Sequence, residues 1–248
     1  MIYENLSYQK KDHVVIITIA EQTGHHLQIP QLANELSYLC STIATDKKVR
    51  VVTIHWKQRE PSLGSGAGKG DMKYYSLSAA VAELNIPVIA VVDGYATGRA
   101  LELALACDIR IVSENSYFGL PHLGFGIIPS DGGTQRMSRL VGKSKAIELI
   151  LTGEIINASD ALKIGLVNRI SRDQDPLTEA MEMAHKIASK SPIATKYAKE
   201  AVSKGMDLTL EQGMRLEADL YYLIHTTKDR HEGIKAFQEK RQAFFKGN

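Results

Sequence analysis

Residues 118–136 read FGLPHLGFGIIPSDGGTQR and carry a denser set of chemically informative side chains than any other part of the chain. His122 and Asp131 lie on either side of a turn rich in glycine and proline, and Gly132-Gly133 precedes a helix-forming run. Histidine exchanges protons near neutral pH, and a neighbouring carboxylate can orient its ring. The segment is therefore the predicted site of chemistry.

The segment immediately upstream, residues 88–112, reads VIAVVDGYATGRALELALACDIRIV. Its pattern predicts a buried strand, a turn containing glycine, a short apolar helix and a second strand. Glu102 lies in that helix among leucine and alanine residues. Charged side chains are seldom fully buried unless they are paired or functional, so Glu102 is a candidate for chemistry. The alternative is a place on the hydrated side of an amphipathic helix.

The rest of the chain alternates between strand and helix patterns and then becomes helical. Runs rich in β-branched residues predict strands at residues 14–19, 49–54, 88–92 and 108–112, and helix-like stretches separate them at 30–43 and 72–84. This alternation indicates an α/β layer. After Asp131, helices are predicted around residues 143–151, 158–164, 176–188, 192–204, 208–224 and 227–245.

Composition narrows the class of protein. A chain of 248 residues with 44% hydrophobic content can bury one full core. The net charge of +2, spread along the chain, offers no basic stripe for nucleic acid. Cys40 and Cys107 are too few for a disulfide framework or a four-cysteine zinc site, and we expect no metal. With no apolar run of about 18 residues and no signal-peptide pattern, we expect a cytoplasmic protein without a membrane partner.

The order of short motifs along the chain identifies a family. The motifs are Asp93-Gly94-Tyr95-Ala96, Glu102-Leu103-Ala104, Cys107-Asp108-Ile109, Phe118-Gly119, Gly126-Ile127-Ile128-Pro129, Gly132-Gly133-Thr134-Gln135-Arg136 and Glu232-Gly233-Ile234-Lys235-Ala236-Phe237. In this order the chain resembles the crotonase superfamily, also called the enoyl-CoA hydratase/isomerase family. The resemblance implies an α/β fold with a crotonase-type spiral of ββα turns in residues 1–190 and a helical C-terminal trimerisation region in residues 191–248. It also implies a homotrimer or a dimer of trimers.

The resemblance further implies a substrate and a site. Members of the family bind an acyl-CoA thioester, and two backbone amides stabilise the enolate that forms, so no prosthetic group is expected. The match of Asp71-Met72-Lys73 to the family's Asp-Leu-Lys puts one amide at Gly70. The position three residues before Glu102 puts the other amide at Arg99, where relatives usually have glycine. Lys240 and Arg241 are candidates for contact with the CoA phosphates, and a solvated basic helix end is the alternative.

The acid/base groups implied by the resemblance depart from the usual pair. Family hydratases use two glutamates, of which Glu102 matches the first and His122 replaces the second. Histidine retains the capacity to exchange protons while changing the charge. This arrangement predicts an enoyl-CoA hydratase/isomerase-like lyase in which Glu102 and His122 handle water and protons.

Two other functions stay open at this stage. The spacing of His122, Pro129 and Asp131 is also similar to the β-diketone hydrolase branch typified by 6-oxocamphor hydrolase, in which a His/Asp dyad activates water to cleave a carbon–carbon bond. An Asp before Gly132-Gly133 is equally suited to cap the helix that follows. A third hypothesis is a catalytically degenerate oligomer that only binds CoA.

Overall fold

A mixed β-sheet forms the centre of the protein, and a computed structural model describes residues 3–20, 29–61, 75–172 and 175–248. The strands are β1 (Leu6–Lys11), β2 (Val14–Ile19), β3 (Val51–Gln58), β4 (Val88–Thr97), β5 (Ile109–Ser113), β6 (Tyr117–Gly119), β7 (Ile156–Asn157) and β8 (Arg169–Ser171). The helices are α1 (Ile29–Thr45), α2 (Ala79–Ala82), α3 (Arg99–Ala106), α4 (Gly133–Val141), α5 (Lys143–Thr152), α6 (Ala158–Lys163), α7 (Pro176–Ala188), α8 (Pro192–Gly205), α9 (Leu210–Ile224) and α10 (Lys228–Gln238).

The main sheet has the order β1-β2-β3-β4-β5-β8. Strands β1 and β2 form an antiparallel hairpin, and the pairs from β2 to β8 are parallel. Parallel strands are covered on both faces, which is why β2, β3 and β4 consist of nearly continuous apolar residues. Residues of α1 and α3 belong to one buried cluster with the sheet, and α7 covers the residues of a second cluster. The expected α/β architecture is confirmed.

Strand β4 takes part in two ladders, and this division positions the candidate site. Its first half pairs with β3 and β5, whereas residues 95–97 pair in parallel with β6. Between the halves, Gly94 has a φ of 92°, and a Cβ there would lie 2.1 Å from the carbonyl oxygen of Gln58. Only glycine fits this crossing, because it tolerates both the left-handed φ and the close backbone.

The helical C-terminal region is confirmed. Two helix predictions are wrong in their bounds, one in that region and one before β4. The helix expected at 227–245 ends at Gln238, because Lys240 has a left-handed φ of 53° and Arg241 turns back to bond Glu232. Of the helix expected at 72–84, only Ala79–Ala82 is an α-helix in the described residues, since the amides before it bond a side chain elsewhere in the chain. Residues 72–74 of that prediction lie outside the described residues.

The helix α9 is largely exposed in the single chain. Of its residues only Leu220 is buried, while large apolar side chains face solvent: Leu210, Met214, Tyr221, Tyr222 and Leu223. Several large exposed apolar side chains on one helix are typical of an interaction surface. In the part of the chain that is described, no helix has the length and apolarity to cross a membrane.

We expect Gly94→Ala to destabilise the fold more than Gly165→Ala. Both glycines have left-handed φ values, 92° and 77°, but a Cβ at Gly165 meets no atom within 4 Å. Gly165→Ala should therefore cost about 1 kcal/mol of left-handed strain, and Gly94→Ala about 2 kcal/mol more because its Cβ overlaps backbone. Urea unfolding measures both, and equal costs would contradict the close crossing of β3 and β4.

Candidate active site

Glu102 is fully buried on α3, with 0% of its surface exposed. The helix begins after Gly98, which has a φ of 57°, and its other buried residues are Leu101, Leu103, Ala104 and Leu105. The carboxylate therefore lies inside the protein and not on a hydrated face of the helix. The interpretation of Glu102 as part of a hydrated helix surface is therefore wrong.

One oxygen of the Glu102 carboxylate is held by backbone amides of the glycine-rich turn. Oε1 accepts hydrogen bonds from the N–H of Asp131 at 2.7 Å and the N–H of Gly133 at 3.0 Å. Gly133 is the first residue of α4, where the amides have no partner within the helix and the helix dipole favours an anion. A Cβ on Gly133 would lie 2.9 Å from Oε1, so this approach requires glycine.

His122 lies in a short 3-10 helix, Pro121–Phe125, directly after β6. Strands β4 and β6 are parallel, and the Gly98 amide bonds the Gly119 carbonyl where they end. The carboxyl ends of parallel strands share one edge, so the two strands deliver α3 and the 3-10 helix to the same place. His122 is buried there, with 4% of its surface exposed.

The free oxygen of Glu102 faces the imidazole ring. His122 Nε2 lies 3.9 Å from Glu102 Oε2, which is longer than a direct hydrogen bond. Oε2 is buried and has no hydrogen-bond partner among the described residues. Buried polar atoms without a partner are rare and often mark functional sites. A separation of 3.9 Å is one that a single bridging molecule spans with two hydrogen bonds of ordinary length.

Burial shifts the pKa values of Glu102 and His122 in opposite directions. Burial raises the pKa of the Glu102 carboxyl above its ordinary value, and the hydrogen bonds from the Asp131 and Gly133 amides and the charge of Arg99 oppose that shift. Burial lowers the pKa of the His122 imidazole, an effect that the Leu120 carbonyl opposes and that the charge of Arg99 strengthens. The raised pKa makes Glu102 a stronger base than an exposed carboxylate, and the lowered pKa favours the neutral imidazole.

The Asp131 carboxylate faces away from this pair, toward the residues that precede α2. Oδ1 accepts hydrogen bonds from the hydroxyls of Ser76 and Ser78, and Oδ2 accepts them from the amides of Leu77 and Ser78. The described contacts of Asp131 include no hydrogen bond or ion pair to His122, so the dyad stays a prediction without geometric support.

Asp131 does not cap its own helix. The N-cap of α4 is Gly132, which has no side chain, and the amide of Gly133 donates to Glu102 and not to Asp131. The prediction of a cap for α4 is therefore wrong. The physical reason is that the left-handed Gly132, with a φ of 93°, separates Asp131 from the helix, and the Asp131 carboxylate instead bonds amides just before α2.

The Arg99 side chain extends from the first residue of α3 toward Tyr75, Ser130 and Asp131. Its Nη1 donates a hydrogen bond to the Tyr75 carbonyl at 2.5 Å and lies 3.8 Å from Asp131 Oδ2, and Nη2 lies 3.4 Å from the Ser130 hydroxyl. The Arg99 amide is in the first turn of α3, where N–H groups lack partners within the helix. The guanidinium thus points toward protein groups around the site.

The remaining predicted site residues lie elsewhere. Gly70 falls outside the described residues. Arg241 bonds Glu232 and Glu239 on the C-terminal region, and Lys240 lies beside it on the turn after α10. No group of three or more histidine, cysteine or acidic residues in the described ranges is arranged to hold a metal ion.

Sequence reasoning missed Ser76 and Ser78 as partners of Asp131, and Arg136, whose guanidinium bonds the Asp131 carbonyl and the Ser78 hydroxyl. These residues are distant in sequence, and a Ser-x-Ser pattern has no specific meaning alone. The amides that donate to Glu102 could have been predicted from the sequence, because a Gly-Gly pair at the start of a helix exposes N–H groups.

The chain is similar over almost its whole length to known hydratases. Residues 9–248 match the family described as enoyl-CoA hydratase/isomerase. The 2,3-dehydroadipyl-CoA hydratase of Escherichia coli is 37% identical over 98% of both proteins, and the crotonyl-CoA hydratase of Syntrophomonas wolfei is 34% identical over 99% of both. The crystal structure of an enoyl-CoA hydratase from Bacillus anthracis superposes with a TM-score of 0.90 at 35% identity, covering 99% of this chain and 100% of that one.

We expect the His122 imidazole to titrate below its ordinary pKa of about 6.5, because burial and Arg99 disfavour its charged form. As the pH falls below about 6.5, the unfolded chain takes up a proton that folded His122 resists, so His122 lowers stability there and contributes nothing above that pH. NMR titration of the ring carbons measures the midpoint, and a wild-type value at or above 6.5 would contradict this environment.

The charge of Arg99 can be tested in the same titration. Arg99→Gln should raise the midpoint of His122, because a nearby positive charge is removed. Arg139→Gln is the matched control, since Arg139 lies on the exposed side of α4 with Asp207. That variant should leave the His122 midpoint unchanged.

Proposed function

Because the chain belongs to the enoyl-CoA hydratase/isomerase family, we propose that it is a crotonase-type lyase that adds water across the double bond of an enoyl-CoA thioester. One observation supports this function most strongly. The buried Glu102 carboxylate is fixed through Oε1 and leaves Oε2 without a partner in the described residues, 3.9 Å from His122 Nε2.

This geometry suits the activation of one water molecule. Water at about 2.8 Å from both Glu102 Oε2 and His122 Nε2 lies within hydrogen-bond reach of the two groups. The water oxygen bonds to the β carbon, and Glu102 takes the proton that is released while the neutral imidazole holds the water in place. Glu102 then gives this proton to the α carbon, so the elements of one water molecule are added and both side chains return to their initial protonation states.

The thioester carbonyl requires donors for the charge that develops on its oxygen. In the proposed mechanism the Arg99 amide, in the first turn of α3, is one donor and the Gly70 amide is the other. The side chain of Arg99 bonds Tyr75 and Ser130, which is compatible with an amide that stays accessible. Placing arginine where relatives usually have glycine therefore does not prevent oxyanion stabilisation.

The two other functions receive less support from the geometry. Cleavage of a cyclic β-diketone depends on a His122–Asp131 dyad, whereas the Asp131 carboxylate bonds Ser76, Leu77 and Ser78. A degenerate CoA-binding oligomer would not need a buried Glu102 carboxylate in which only Oε1 has hydrogen-bond partners among the described residues. The assembly itself is a further part of the proposal, in which the apolar surface of α9 packs against other copies in a trimer or a dimer of trimers.

A direct assay separates these functions. We expect the purified protein to hydrate crotonyl-CoA, measured by loss of the enoyl-thioester absorbance. Binding of CoA thioesters without turnover of any enoyl-CoA would support the degenerate binder. Cleavage of a β-diketone without affinity for CoA would support the hydrolase.

Glu102→Gln should lower kcat by about a hundredfold or more, the usual scale for loss of an acid/base group, because the amide cannot accept the proton of water. Glu35→Gln is the matched control: Glu35 is also buried and also accepts two backbone amides, from Glu4 and Asn5, outside the site. The control should keep kcat. Normal turnover in a folded Glu102→Gln variant would remove Glu102 from the mechanism.

Lys240→Ala should raise KM for crotonyl-CoA without changing kcat, because the proposed contact is with the CoA phosphates and not with the reacting atoms. A pantetheine thioester, which lacks the nucleotide, should show no such effect. Lys204→Ala, on an exposed lysine paired with Glu200, serves as the control for general surface charge. Equal KM changes in the two variants would exclude a specific role for Lys240.

A further inference from the structure

The Asp131 carboxylate is a fully satisfied anchor between two separate segments. It is 2% exposed, and the amides of Leu77 and Ser78 approach Oδ2 at 2.8 and 3.1 Å. The hydroxyls of Ser76 and Ser78 approach Oδ1 at 2.5 and 2.8 Å. Hydrogen bonds to an ionised acceptor are about twice as strong as those between neutral groups, so this cluster is a rigid junction.

The backbone of Asp131 connects this junction to the Glu102 carboxylate. Its amide donates to Glu102 Oε1 at 2.7 Å, and its carbonyl accepts from Ser78 Oγ at 2.8 Å and from Arg136 Nη1 at 2.9 Å. The side chain and the carbonyl are thus both held by the Ser78 segment. With those groups held, the position of the Asp131 nitrogen is held as well, and its N–H donates to Glu102.

We propose that Asp131 is a positioning residue that orients the Glu102 carboxylate through its own amide while its side chain is anchored on Ser76, Leu77 and Ser78. The inference rests on the proposed hydration, in which Glu102 is the group that exchanges protons. It assigns Asp131 neither the role of a dyad partner of His122 nor that of a cap on α4. The anchor also explains why a carboxylate with no described contact to the imidazole is buried beside the site.

The residues that follow Asp131 leave room for the arginine that bonds its carbonyl. Gly132 has a φ of 93°, and a Cβ there would lie 2.1 Å from Arg136 Nη1, the atom that bonds the Asp131 carbonyl. Arg136 Nη1 also bonds Ser78 Oγ at 2.8 Å. Ser78 is therefore common to the side-chain anchor and to the arginine that holds the Asp131 backbone, so its hydroxyl should be energetically coupled to Asp131.

The test compares Asp131→Ala, Asp131→Asn and Ser78→Ala in crotonyl-CoA hydration. A misplacement of a catalytic group by about 1 Å can cost about a hundredfold in rate. We therefore expect Asp131→Ala to lower kcat by about a hundredfold with little change in KM. Asp131→Asn, which keeps an oxygen for the two amides, should recover about tenfold of that loss. Ser78→Ala should also lower kcat. In the variant that combines Asp131→Ala with Ser78→Ala, the fold-decrease in kcat should be smaller than the product of the two single fold-decreases.

Asp229→Asn is the matched control. Asp229 is also 2% exposed and also accepts from one serine hydroxyl, Ser191, and from backbone amides, those of Lys246 and Gly247, but in the C-terminal region. It should lower the melting temperature without lowering kcat. A kcat loss in Asp229→Asn equal to that in Asp131→Asn would assign both effects to general destabilisation and overturn the proposal.

Amide hydrogen exchange gives a readout that does not depend on turnover. In the Asp131 variants the Gly133 amide, which shares Glu102 Oε1 with Asp131, should exchange faster than in the wild type while the amides of β3 keep their protection. If the Gly133 amide exchanges faster in the Asp131 variants but the wild-type protein hydrates no enoyl-CoA, the positioning role is upheld and the proposed function is rejected. Unchanged kcat and exchange in a folded Asp131→Asn variant, with an active wild type, would overturn the positioning role alone.

Discussion

Burying the Glu102 carboxylate is the constraint on which the rest of the site depends. A carboxylate with 0% exposure must be compensated by donors, because an unpaired buried charge costs several kcal/mol. The fold supplies two amides to Oε1 from the turn before α4 and leaves Oε2 directed at His122. This incomplete compensation raises the pKa of the carboxyl and keeps one oxygen available for chemistry.

The requirement for those two amides accounts for the sequence of the turn. Gly133 has to lack a side chain because Glu102 Oε1 occupies the space, and Gly132 has to adopt a left-handed conformation beside Arg136. The division of β4 between two ladders brings α3 and the 3-10 helix of His122 to one edge. The strand pairing thus brings Glu102 and His122 together, and the two glycines leave room for the amides that hold the carboxylate.

Local patterns in the sequence were sufficient to predict the α/β fold. The strand at 14–19 and the helix at 176–188 have the predicted bounds, since apolar periodicity and a proline at the helix start are local signals. The sequence also singled out Glu102 and His122, through an unusual charge in an apolar helix and a family motif, and the structure places both side chains at one edge of the sheet, while their catalytic roles stay predictions. Their separation of 3.9 Å required the structure.

What the sequence could not predict depends on contacts between distant segments. The residues that hydrogen-bond the Asp131 carboxylate, Ser76, Leu77 and Ser78, lie more than 50 residues earlier in the chain, and the neighbouring Gly-Gly pair suggested a cap for α4 instead. Gly132 occupies that cap position, so the local signal was misleading. The early end of α10 likewise reflects the bond of Arg241 back to Glu232, which no periodicity reveals.

The central claim is that Glu102 and His122 together hold the water that adds to the substrate. A crystal structure of the protein with a non-reactive acyl-CoA analogue tests it most directly. The account predicts the β carbon of the acyl group within about 4 Å of Glu102 Oε2 and an ordered water that bonds both Oε2 and His122 Nε2. An acyl group bound with its β carbon remote from Oε2, and no water between the two side chains, would contradict it.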